Sequence, residues 1–189
     1  MRYSFVLLLT AFGLLQGCVA PVVAASVGAG MMMSSSDRRS AGAMVEDDTI
    51  ESKAQKRIDE KYKDTAHASV TAYNRFALVT GTASNEATKM DIERIVGAIP
   101  NVKGIANELV VASAASSGST TSDSRITGNV QMRFVKCPAF KADHVKVVTE
   151  GGVVYLMGLV TRAEADAASE IASTTANVQK VVRVFEYID

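Results

Sequence analysis

Tryptophan is absent from this chain, aromatic residues make up only 6% of it, and histidine occurs twice. So few rings leave no large stacking platform. His67 and His144 stand far apart, and neither belongs to a spacing that would hold a metal. Net charge is missing too, with 20 basic residues against 20 acidic ones. A nucleic-acid binder needs a strongly basic field, so this balance argues against that class. There is no G-x-G-x-x-G, Walker-type loop or G-x-S-x-G, and Cys137 lacks a Cys-x-x-Cys partner. The pattern offers no catalytic constellation and no cofactor motif. It reads as a non-enzyme.

What the chain does have begins at its first residues. Arg2 supplies a positive start, Tyr3 to Leu15 an apolar run, and Gly17 a small residue beside Cys18. Leu15-Gln16-Gly17-Cys18 resembles the lipobox of bacterial lipoproteins, in which the cysteine thiol takes a diacylglycerol and becomes the new N-terminus. The resemblance implies a signal peptide over residues 1–17 and lipid attachment at Cys18. Acyl chains contribute about 0.8 kcal/mol per buried CH₂, and two or more anchor stably. No aspartate follows at the second mature position, which in the usual lipoprotein pattern favours the outer membrane. Two alternatives remain open: an ordinary secretory peptide with an incidental cysteine, and an uncleaved membrane helix. Pro21, Gly28 and Gly30 interrupt the second half of such a helix.

Beyond the signal, residues 18–44 are rich in Ala, Gly, Ser and Met and read as a flexible tether. Residues 113–122 (SAASSGSTTS) read as a linker, and the segments on its two sides repeat one another. Ile50, Ala54 and Ile58 give a helical stripe; Ile126, Val130 and Phe134 give its counterpart. Two strands follow in each copy, joined at Asn74-Arg75 or Gly151-Gly152, pairs suited to a tight hairpin turn. Gly81 and Gly158 are expected to close the second strand. A second helix starts at Ser84 or Thr161, with Ile92, Ile95, Val96 and Ile99, or Ala165, Ala168, Ile171 and Ala172, on its apolar side. The last strands run from Gly104 to Val111 and from Lys180 to Ile188, introduced by Asn101-Val102 and Asn177-Val178. The fold class is therefore α+β. Each copy, αββαβ, forms a three-stranded sheet covered by two helices, and the copies pack together or are held by the linker.

This order, with the second strand ending in Gly158 or Gly81 and Asn-Val before the last strand, resembles the BON domain. The limits are 45–112 for the first domain and 123–189 for the second. Two such domains behind a lipobox are similar to the periplasmic dual-BON outer-membrane lipoproteins. The resemblance implies anionic phospholipid as partner (phosphatidylglycerol or cardiolipin), bound through the second domain. It also implies support of outer-membrane integrity and cell division, palmitate-type acylation, and no catalysis.

The two copies differ in charge where they otherwise match. From Glu46 to Asp64 there are five basic and seven acidic residues; from Asp123 to Lys146 there are five basic and two acidic. The run Glu46-Asp47-Asp48 precedes the first helix and favours its N-terminus. With Ile126, Val130 and Phe134 facing the sheet, Arg125, Asn129, Met132, Arg133, Val135 and Lys136 form the candidate phospholipid surface. Relatives present a large aromatic just before this helix where Arg125 stands, which exchanges insertion for charge. Alternatively, Met132 and Val135 flank the core and the charges are solvated surface. A second reading of the whole chain is a protein-interaction module that docks an outer-membrane assembly factor or the division machinery. Cys137 is most simply a small buried apolar residue.

Overall fold

The computed structural model describes residues 37–112 and 120–189. The signal segment, Cys18 and most of the expected tether and linker lie outside the described residues. The first unit comprises α1 (Ala41–Tyr62), β1 (Ala66–Tyr73), β2 (Phe76–Ala83), α2 (Glu86–Gly97), β3 (Gly104–Asn107) and β4 (Val110–Val111). The second comprises α3 (Thr120–Val135), a 3-10 turn (Ala142–His144), β5 (Val145–Glu150), β6 (Val153–Val160), α4 (Arg162–Ser173) and β7 (Lys180–Tyr187). In each sheet the hairpin pairs antiparallel and the last strand returns parallel to the second, so the orders are β1-β2-β3 and β5-β6-β7. The intervening helix supplies the crossover that a parallel pair requires. The first unit's last strand is broken, with β3 and β4 both pairing with β2.

The hairpin turns are held from the helices. Asn74 and Arg75 have φ of 50° and 68°, and Gly151 and Gly152 have φ of 56° and 78°. Two positive values in succession define the turn whose twist suits a two-residue hairpin. Asp47 accepts the Asn74 and Arg75 amides at 2.8 and 2.6 Å, and Asp123 accepts those of Gly151 and Gly152 at 2.8 and 2.9 Å. The run Glu46-Asp47-Asp48 therefore lies inside α1 rather than ahead of it, and Asp47 is buried there as a turn clamp. Gly81 and Gly158 sit within β2 and β6 instead of closing them. A Cβ at either position would collide with the carbonyl oxygen of His67 or His144, so close is the neighbouring backbone.

Local signals explain the helix limits. Asn85, not Ser84, caps α2 by accepting the Thr88 amide, while Thr161 and Glu164 form a reciprocal capping box on α4. The first helix starts ahead of the expected domain limit, at Ala41, because Ser40 accepts the Ala43 amide at 3.1 Å. Residues 37–39 are held as well, through Arg38 and Arg39. Arg39 bonds Asp37 and Asp47 and stacks on Tyr73, 4.2 Å from the ring centroid. Thr120 to Ser122, expected in the linker, form the first turn of α3.

Each unit has a core between its helices and one sheet face. Ile50, Ile58, Val79, Ile92 and Val96 fill the first; Val130, Phe134, Val154, Leu156 and Ala168 fill the second. Because side chains alternate across a strand, Leu78, Tyr155 and Met157 point the other way. They meet with Tyr73 and Leu159 in a third cluster, so the two helix-free sheet faces pack on each other. Lys146 spans the same junction, bonding Glu51 at 3.1 Å and the Ala72 carbonyl at 3.3 Å.

Candidate functional site

Helix α3 is positioned by one stripe. Asp123, Ile126, Val130 and Phe134 are buried, which fixes its rotation against the sheet. Arg125, Met132, Val135 and Lys136 consequently share the outward side, where Met132 is 59% and Val135 75% exposed. At those values neither is a core residue. Arg125 lies within the helix rather than before it. Among the described residues no carboxylate pairs with Arg125 or Lys136.

Two of the expected site residues are less open than these. Asn129, one turn after Arg125, is half-buried. Arg133 reaches across to the C-terminal end of α4, donating to the Ile171 carbonyl at 2.6 Å, Thr175 Oγ1 at 2.7 Å and Thr174 Oγ1 at 3.0 Å. A helix C-terminus offers unpaired carbonyls and the negative end of the dipole, so the guanidinium is well satisfied there. It ties α3 to α4 and is not available to a phosphate in this arrangement. Lys146 is likewise engaged with Glu51.

The segment after α3 adds residues that the helical pattern does not reveal. Phe140 turns inward and meets Phe134 edge-on, with centroids 5.1 Å apart. That contact folds the loop back and leaves Pro138, Ala139 and Lys141 exposed beside Val135 and Lys136. Cys137 is half-buried against the second core. The signal for this loop is Phe140, a large apolar residue just past the end of the helical stripe.

The same positions on α1 carry different chemistry. Aligning the buried stripes sets Lys56 opposite Met132, Asp59 opposite Val135 and Glu60 opposite Lys136. Lys56 and Glu60 form an exposed pair at 3.9 Å. The outward face of α1 is thus a self-compensating charged surface, whereas that of α3 is apolar and basic. Exposed apolar side chains occur elsewhere, including Val45, Met90, Val110 and Val111. On α3 two such residues, Met132 and Val135, share one face with Arg125 and Lys136.

A cavity of about 470 Å³ opens beside the inter-sheet contact, lined by Tyr73, Phe76, Ala106, Val182, Val184 and Phe185. Its charged rim balances Lys103 and Arg183 against Glu108 and Glu186, which gives no preference for an anion. Among the described residues no three His, Cys, Asp or Glu side chains come together to hold a metal. Among the same residues no helix is long and apolar enough to cross a membrane.

Comparison with known proteins fits this layout. The BON domain profile matches residues 46–113 and again 122–189. The chain is 34% identical over 185 residues to the Outer membrane lipoprotein DolP of Haemophilus influenzae, covering 97% of this chain and 95% of that protein. It is 32% identical over 154 residues to the 21 kDa hemolysin of Actinobacillus pleuropneumoniae, covering 80% and 79% of the two. Among solved structures, the C-terminal domain of CdsD, a structural protein of the type III secretion system of Chlamydia trachomatis, superposes with a TM-score of 0.28 at 12% identity. That match covers 72% of this chain and 63% of the other, and is too loose to bear on function.

Proposed function

Because two BON domains make this chain a member of the dual BON-domain lipoprotein family, we propose that it is a non-catalytic lipoprotein of the outer membrane whose second domain binds anionic phospholipid. Acyl chains on Cys18 hold it on the periplasmic side of that membrane. The outward face of α3 meets the headgroups, and the contact supports outer-membrane integrity, including at division sites. One observation carries this reading: matched positions on two copies of one helix hold Met132, Val135 and Lys136 in the second and Lys56, Asp59 and Glu60 in the first. A fold-level role would not require that difference. An interfacial helix does, since it seats apolar side chains at the headgroup boundary while cations hold phosphates.

Magnitudes support a weak but real contact. Each basic side chain near an anionic surface contributes about 1 kcal/mol, and complete burial of a Met or Val side chain adds about 1.5–3 kcal/mol. Arg125, Lys136 and Lys141 remain for the electrostatic part once Arg133 and Lys146 are set aside. The test is flotation of the chain from residue 36 onward with vesicles of phosphatidylcholine, with or without phosphatidylglycerol or cardiolipin. Binding should need the anionic lipid and weaken with salt. Reversing Arg125 and Lys136 (R125E/K136E) should lower affinity by at least roughly thirtyfold, the loss of two cations alone, while K53E/R57E on α1 should leave it unchanged. Equal losses from both pairs would remove the assignment to α3. Strong crosslinks to protein with no headgroup preference would favour a docking module instead.

A further inference from the structure

The three residues that lead into α1 are fastened to both units. Arg38 donates to the two carboxylate oxygens of Glu164 at 2.7 and 2.8 Å and to the Leu159 carbonyl at 2.8 Å. A bidentate guanidinium–carboxylate pair is both strong and directional. Arg39, next along, is held by Asp37, Asp47 and the Tyr73 ring. A leash that merely spaced the body from a bilayer would need none of these contacts.

The docking point has a definite location. Glu164 lines the same shallow concavity as Val135, Cys137, Pro138 and Lys141, at the C-terminal end of α3. His144 Nδ1 lies 3.7 Å from Glu164, and Asp37 is close enough to Asp143 for their charges to interact. The chain therefore enters its folded body beside the end of α3 that bears Met132, Val135 and Lys136.

We propose that Asp37–Arg39 is an orienting strap: docked on Glu164, it fixes where the lipid-bearing segment joins the body, so that the anchor and the outward face of α3 address one leaflet. The proposal rests on the phospholipid reading of α3 and adds how that face is aimed. Leash length makes the aim matter. Eighteen residues separate Cys18 from Asp37; as the tether expected from their composition, they would have a root-mean-square span of about 21–25 Å. A helix the length of α1, 22 residues, is already about 33 Å long. A leash joined to the far side of the body would have to wrap it before α3 could reach the bilayer. Joined beside α3, it raises the effective concentration of that face at the surface.

The test uses the full lipidated chain in a C137S background, reconstituted in vesicles. Spin labels at S36C and V135C should give a narrow distance distribution that broadens in R38A and in E164Q, with thermal melting confirming that both variants stay folded. A broad distribution with the strap unaltered overturns the proposal. A polarity-sensitive fluorophore at M132C then reads the consequence. On neutral phosphatidylcholine vesicles its emission should be blue-shifted with the strap intact and move toward the aqueous value in R38A; added phosphatidylglycerol should restore the shift. Equal emission in the two proteins on neutral vesicles also overturns the proposal. If the fluorophore stays aqueous on every vesicle while the distance remains narrow and sensitive to R38A, the reading of α3 has failed, and with it the orienting role.

Discussion

Asp47 and Asp123 use one carboxylate each to hold both amides of a hairpin turn. Hydrogen bonds to a charged acceptor are the stronger class, and losing the acceptor leaves two donors without a partner. Asp123→Ala should therefore cost about 2–4 kcal/mol in urea unfolding. Asp47→Ala should cost more, because its turn places Asn74 and Arg75, not glycines, at positive φ and because Arg39 loses an ion partner. The signal for this device was present in the sequence, as each aspartate stands three residues before the first isoleucine of its stripe and shares its buried phase. Charge near a helix start suggests a dipole effect instead, and a contact to a turn some thirty residues on is invisible to local pattern. Glu164 gives a second outcome. The Arg38 pair holds its carboxyl down at about 2, against burial, which pushes it up from about 4.5. A lowered folded-state pKa means that the unfolded chain binds the extra proton, so this contribution is present above pH 4.5 and lost as pH falls toward 2. Thermal midpoints across that window should fall less steeply in Glu164→Gln than in the unaltered chain.

Helix α3 was legible as an element, and its rotation was too, because Ile126, Val130 and Phe134 repeat at helical spacing and are buried. Two of its features were not. Thr120 to Ser122 share the composition of the preceding linker, so nothing in the residues marks where the helix begins. Phase also fixes only the side from which a residue departs, and Arg133 is long enough to leave that side and end on α4. Arg125, Met132, Val135 and Lys136 remain together on the outward face. The exposure of Met132 and Val135 separates folding from binding. Met132→Glu and Val135→Glu should each change unfolding free energy by no more than about 0.5 kcal/mol. Each should weaken binding to phosphatidylglycerol vesicles about fivefold or more, the equivalent of about 1 kcal/mol. A loss of stability to match the loss of binding would mean that these side chains serve packing.

For the molecule as a whole, internal repetition revealed both αββαβ units and left their mutual arrangement open. A sheet buried on both faces reads as a nearly continuous apolar run, and Val153 to Met157 is one. That run is the trace of the back-to-back packing of Tyr73, Leu78, Tyr155, Met157 and Leu159. The strap was missed because Asp37-Arg38-Arg39 adjoins a long segment of small residues, and its partners Glu164 and Leu159 lie in the other unit. The resulting body presents α1 and α3 as related helices with unlike surfaces, joined through their sheets, and the phospholipid reading has α3 alone meeting lipid. NMR titration of the chain with nanodiscs of phosphatidylglycerol, and of phosphatidylcholine as control, separates the two helices residue by residue. Amides along Arg125 to Lys141 should be perturbed with the anionic discs alone, and those along α1 should stay quiet. Equal perturbation of α1, or none on α3, would overturn the phospholipid reading.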